Sequence, residues 1–200
     1  MLQTPAFALN AVQESVLIYC VALLNHIKSI LTNTRDGKRA DLLRMQVALD
    51  DTHEYLDKIE LKGSTDANRE RMLALLHALD YLQRLHERCE EDEDRDITAR
   101  KTADLSSIQQ SLISAIDDVL KKIMLANRGD IAVRSRQVEL DITELVDPMR
   151  DNIASSVANG RLDVPAATDC LEAMRWLDRV CHHISRISLH IQQAVLASGK

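Results

Sequence analysis

Apolar residues recur at three- and four-residue steps along most of this chain. Leu42, Met45, Leu49, Thr52, Leu56 and Ile59 would form one continuous inward stripe on a helix. Gln46, Asp50, His53 and Glu54 form a polar stripe beside it, because residues four and seven apart share a face. Turn residues separate such stretches and predict six long helices. The first opens with Thr4 as cap and Pro5 in the first turn, where its missing N–H is harmless, and runs to about Thr32. The second follows the turn "TRDG" at 34–37 and spans about Lys38 to Lys62. "GST" at 63–65 breaks it, and Ser64 or Thr65 caps a third helix that ends near Glu91. Thr102 caps a fourth that ends near Asn127, and "NRGD" at 127–130 is a turn. The fifth runs to about Ala158 with a kink expected at Pro148, and the sixth carries Pro165 in its first turn and continues to about Leu196. No strand-like alternation flanked by turn residues occurs, so the predicted class is all-α.

The helices echo one another. "QVALDDT" from Gln46 returns as "QVELDIT" from Gln137, "AVQESVL" from Ala11 resembles "SIQQSLI" from Ser107, and "HALDYL" from His77 resembles "RWLDRV" from Arg175. The offsets are 91, 96 and 98 residues, in the same chain order. This predicts two tandem three-helix bundles: residues 1–92, an acidic and polar linker at 93–101, and residues 102–200. Packed together, two such triplets bury more apolar surface than either does alone.

Composition narrows the functional classes. A chain of 200 residues buries about 70% of its unfolded surface as one compact body. The net charge is −6 and no long basic stretch occurs, which argues against nucleic acid as a partner. The run "ERCEEDEDRD" at 87–96 reads as a helix end and a solvated linker. Cys20, Cys89, Cys170 and Cys181 lack CxxC spacing and read as reduced thiols. The longest apolar run, from Ser15 to Ile27, is too short to cross a bilayer and reads as a buried helix face.

The doubled three-helix plan, with a polar pair four apart on the second helix, resembles PhoU, the bacterial phosphate-signalling regulator. "RMQVALDD" looks like that family's second-helix motif, and "HALD" and "RWLD" stand where its third-helix "RIGD" falls. The chain is more similar still to the PhoU-like C-terminal domain of bacterial sodium/phosphate cotransporter-family proteins, through "LQTPAFALNAVQ", "LLHALDYLQRL" and "RWLDRVCHHISRI". The resemblance spans essentially the whole chain. It implies a regulatory or assembly module on the cytoplasmic side of the bacterial inner membrane, with transmembrane helices upstream of Met1 in the natural protein. It also implies contact with its own or an associated membrane transporter domain, or with a second copy as a homodimer. A free-standing PhoU-type adaptor between a transporter and a sensor kinase is the nearest alternative.

PhoU proteins carry Glu/Asp-x3-Asp pairs that can hold clustered iron or zinc. This sequence departs from that pattern. Gln46 and Gln137 stand where the first ligands of the second and fifth helices would be, and Leu76 and Met174 precede Asp80 and Asp178. A neutral amide is a poor ligand for a hard cation and leucine is none. The expectation is therefore that Asp50, Asp80, Asp141 and Asp178 make hydrogen bonds and ion pairs between helices, with Arg84 four after Asp80 and Arg175 three before Asp178, and that no cofactor resides here. The competing reading is a carboxylate-bridged metal protein. In it His182, four after Asp178, would join Asp141 or Glu144 across the bundle to bind zinc. Cys181 points about 100° away from that face, and His183 and His190 share another. No HExxH motif, glycine-rich phosphate loop or nucleophile–base arrangement is legible, so the chain reads as a non-enzyme. Trp176 reads as core, with an interface anchor as the alternative, while Leu189, Ile191 and Val195 either complete the bundle or pack a dimer.

Overall fold

The computed structural model describes residues 4–32, 34, 39–61, 64–90 and 103–199. All six predicted helices are present, and no strand occurs among the described residues. They are α1 (Pro5–Thr32), α2 (Arg39–Asp57), α3 (Asp66–Glu90), α4 (Ala103–Met124), α5 (Ala132–Ala158) and α6 (Val164–Ser198). The predicted linker at 93–101, the cap at Thr102 and most of "TRDG" lie outside the described residues.

Local chemistry sets several of the helix ends. Thr65 Oγ1 accepts the Asn68 amide at 3.3 Å, and Asp163 Oδ1 accepts the Ala166 amide at 2.8 Å ahead of Pro165. After α5 the chain turns at Gly160 with φ +66, a left-handed conformation that glycine adopts without a Cβ penalty. Helix α2 ends at Asp57, five residues before the predicted Lys62. There the Lys58 and Ile59 amides bond three residues back, to Tyr55 and Leu56, tightening the last turn while Ile59 still packs on the core. Pro148 lies inside α5 without ending it.

Helices α1, α2 and α3 touch one another, as do α4, α5 and α6, and the two triplets meet mainly along α3–α6 and α1–α4. The helices in each of these joints run antiparallel. Trp176 of α6 lies by Arg88 near the end of α3, while His190 of α6 lies by His77 nearer its start. Likewise Lys28 of α1 pairs with Asp117 of α4, and Arg128, just beyond α4, pairs with Glu14 of α1. One apolar core runs through the assembly and includes Leu9, Leu23, Leu49, Leu79, Leu82, Ile116, Leu177 and Val180. Trp176 and Ile191 belong to it, whereas Leu189 and Val195 are half-buried. All four cysteines are buried and outside any disulfide, and burial pushes the Cys20 and Cys181 thiols up to about 12.

By length and composition α1 is the one described helix that could cross a membrane, a difference from the thirteen-residue run judged too short. The helix extends beyond that run on both sides. Half of its most apolar window is buried, and Leu9, Val16, Leu23 and Ile27 form part of the core.

The echoes relate to packing unevenly. At the 96-residue offset the buried Leu9, Val12, Val16, Leu23 and Ile27 of α1 correspond to the buried Leu105, Ile108, Leu112, Val119 and Ile123 of α4. At the 98-residue offset Leu75, Leu79, Leu82 and Cys89 of α3 correspond to Ala173, Leu177, Val180 and Ile187 of α6, again buried. The α2/α5 echo behaves oppositely: Val47 is 60% exposed while Val138 is 0% exposed, and Leu49 is 0% exposed while Leu140 is 49% exposed. Helix α5 buries Ser135, Val138 and Ile142, a face turned away from the one its echo in α2 buries. Amphipathic helices in equivalent places of a bundle share burial whatever their origin, so these matches describe packing, not ancestry.

Candidate functional site

The richest cluster of polar side chains lies along the α3–α6 seam and extends to α5. Three- and four-residue steps put His77, Tyr81, Arg84 and Arg88 on one face of α3, and Arg179, His183, Arg186 and His190 on one face of α6. Antiparallel packing brings the two faces together. The rings of His77 and His190 are 5.0 Å apart, and Tyr81 stacks on His190 at 5.7 Å. Tyr81 lies 6.0 Å from both His182 and His183, and the Arg84 guanidinium sits 5.6 Å above the Tyr81 ring.

On the α5 side of α6, Glu139 accepts two hydrogen bonds. His182 Nδ1 lies 2.7 Å from Oε1, and the Ser185 hydroxyl donates to Oε2 at 2.6 Å. The carboxylate across the bundle from His182 is therefore Glu139. This corrects the expected Asp141 or Glu144, both of which are exposed because α5 turns its 135–138–142 face inward and Glu139 flanks that face. Asp178, half-buried beside this group, is held above the usual carboxylate range, mainly by burial. The Glu139 charge adds to the shift, while His182 and Arg179 oppose it. Ser185, Glu139 and His182 do not form a nucleophilic relay, in which the histidine lies between hydroxyl and acid; here the acid lies between the other two.

The residues singled out from sequence fall into separate pairs. Gln46 donates to Asp50 at 3.0 Å and Gln137 to Asp141 at 2.8 Å, so the repeated polar pair makes the same i,i+4 bond in both helices. Gln83 also donates to Asp50, linking α2 to α3. Arg84 Nε lies 3.1 Å from Asp80 within α3. Arg175 points to solvent, and the arginine acting on Asp178 is Arg179. Among the described residues, no three histidine, cysteine, aspartate or glutamate side chains form a group that could hold a metal.

Three features went unread in the sequence. Glu139 and the ring cluster around Tyr81 depend on which helix faces meet. Arg71 is 5% exposed and bonds only neutral oxygens, Gln13 Oε1 at 3.1 and 2.9 Å and Asn10 Oδ1 at 2.7 Å, and burial lowers its pKa. It stands on the inward stripe 71–75–78–82 of α3, and a charge on an apolar stripe was a legible signal.

Acid should loosen the seam. Burial, then His182, Arg88, Arg84 and Arg179, lower His183 from 6.5 to about 4, and burial lowers His190 too. A histidine with a depressed folded pKa binds its proton more readily when unfolded. Its contribution is therefore complete above 6.5 and is lost as pH falls toward 4. Asp178, whose pKa is raised, acts in the opposite direction above its ordinary 3.8 and offsets part of the loss. Urea midpoints should fall between pH 7 and about pH 5, and His183→Gln should flatten that slope. An unchanged slope in the variant would contradict this assignment.

Comparison with protein-family models, with curated proteins and with solved structures finds no match to this chain.

Proposed function

We propose that this chain is a PhoU-like cytoplasmic regulatory and assembly domain of a sodium-dependent phosphate transporter, acting through contacts of its helix faces. The observation that carries the reading is the paired arrangement of its halves. The motif-bearing α3 and α6 pack antiparallel, as α1 and α4 do, which is how two copies about a two-fold axis would lie. The divergent α2/α5 pair weighs on the other side.

The pairing of the motif carboxylates with neighbouring side chains supports a contact role. Glu139 is engaged by His182 and Ser185, Asp80 by Arg84, and Asp50 by Gln46 and Gln83. What remains outward includes Leu43 and Val47, four apart on α2, and Phe7 and Ile18 on α1. These positions are available to a transporter or to a second copy of the chain.

Sodium-dependent phosphate uptake, measured in cells carrying such a transporter with and without this domain, tests the reading. The domain should change uptake, and Leu43→Glu with Val47→Glu should abolish the change while leaving the circular dichroism spectrum intact. Uptake indifferent to the domain contradicts the reading. The adaptor alternative predicts instead that a sensor kinase is captured. The metal-protein alternative requires stoichiometric iron or zinc in protein purified without an affinity tag.

A further inference from the structure

Helix α1 has the composition of a helix enclosed on every side, yet only half of its most apolar window is buried. Its 28 residues carry two charges at neutral pH, Glu14 and Lys28. The open half is one continuous stripe. Phe7, Ala11, Glu14, Ile18, Ala22 and Asn25 follow steps of three and four, and all are exposed. Phe7 and Ile18 are each more than half exposed. Both charges turn aside to the α4 flank, where Glu14 pairs with Arg128 at 3.6 Å and Lys28 pairs with Asp117.

The stripe is complementary to itself, because large side chains and alanines alternate along it: Phe7, Ala11, Ile18, Ala22. In an antiparallel pair about a two-fold axis between residues 14 and 15, Phe7 of each copy lies opposite Ala22 of the other, and Ile18 lies opposite Ala11. Each large side chain then enters the gap above an alanine. The axis passes beside the one charge on the stripe. Each Glu14 brings its own Arg128, so the centre of the pair holds two carboxylates and two guanidiniums, and each carboxylate gains a second cation. A helix that rests on a bilayer instead flanks its apolar face with free lysine and arginine. Beside this stripe Lys28 and Arg128 are both paired.

We propose that the exposed stripe of α1 is a homodimer face, on which a second copy of the chain packs its own α1 antiparallel. A helix of 28 residues is about 42 Å long and about 10 Å wide, so the pair covers roughly 400 Å2 on each copy. That is about half of a standard interface, and the association is correspondingly weak, with a dissociation constant on the order of 10–100 μM. A pair of this strength exchanges with another protein on the same face. The inference therefore neither excludes the transporter reading nor depends on it, and Leu43 and Val47 lie on α2, off the stripe.

Sedimentation equilibrium of the intact chain between about 5 and 500 μM tests it, and a reversible monomer–dimer equilibrium is expected. Ile18→Glu should weaken the pair about tenfold or more. Phe7→Ala empties a gap and Ala22→Phe sets two phenylalanines against each other, so each alone should weaken association. The two together exchange the large and small positions and should restore it. All three positions are exposed, so urea midpoints of the variants as monomers should match that of the parent. A chain that stays monomeric at about 500 μM overturns the proposal. So does a dimer indifferent to Ile18→Glu, or a double variant that associates no more tightly than either single one. Phosphate uptake tests the transporter reading separately.

Discussion

Val138→Asp should destabilise the protein by about 4 kcal/mol or more, while Val47→Asp should stay within about 0.5 kcal/mol of the parent. The two valines occupy the same place in the echoed heptapeptide, yet Val138 is fully buried and Val47 exposed. An aspartate at 138 would enter the apolar core. It would either remain charged at high desolvation cost or take up a proton, and both routes cost stability. A loss of that size is a large share of the roughly 5–15 kcal/mol that holds a domain folded. At 47 the carboxylate stays in water. Urea unfolding of the two variants reads the difference directly, and equal losses would mean that α2 and α5 present the same face to the core.

Trp176→Ala carries the second large effect, an expected loss of about 3–5 kcal/mol. The indole is 3% exposed at the α3–α6 joint, and its Nε1 donates to the Arg88 carbonyl at 3.2 Å, in the last turn of α3 where backbone acceptors lack helical partners. Truncation leaves a cavity and removes that donor. Trp176→Phe separates the two contributions: it keeps most of the volume and should lose only about 1–2 kcal/mol. Because the joint connects the triplets, Trp176→Ala should also make unfolding less cooperative, seen as a lower dependence of stability on urea concentration. A Trp176→Ala protein as stable as the parent would show that the joint does not hold the halves together.

Helix existence was legible because helices carry their own signals: Pro5 and Pro165 in first turns, Thr65 as a cap, and apolar stripes at helical spacing. The end of α2 was harder to place, since Ile59 keeps packing on the core after the helical hydrogen bonds stop. The QVxLDxT echo recurs as a bond within one helix, Gln46 to Asp50 and Gln137 to Asp141, where bonds between helices were expected, because an i,i+4 contact needs only its own helix. It says nothing about which face is buried, which depends on neighbouring helices. Expecting Asp141 or Glu144 beside His182 carried the α2 register onto α5, whereas the register α5 adopts brings Glu139 there. The Tyr81 and histidine cluster is built from two helices far apart in sequence and takes shape only when they pack antiparallel.

The claim on which the functional reading depends is that the outer faces of α1 and α2 meet a phosphate transporter. A photoreactive amino acid placed singly at Val47, Ile18 or Val138 tests it in cells that also express a sodium-coupled phosphate transporter. Crosslinks from positions 47 or 18 to the transporter's cytoplasmic loops, with none from the buried 138, are the predicted result. Absence of any crosslink to the transporter, in cells where the domain is folded and abundant, would contradict it.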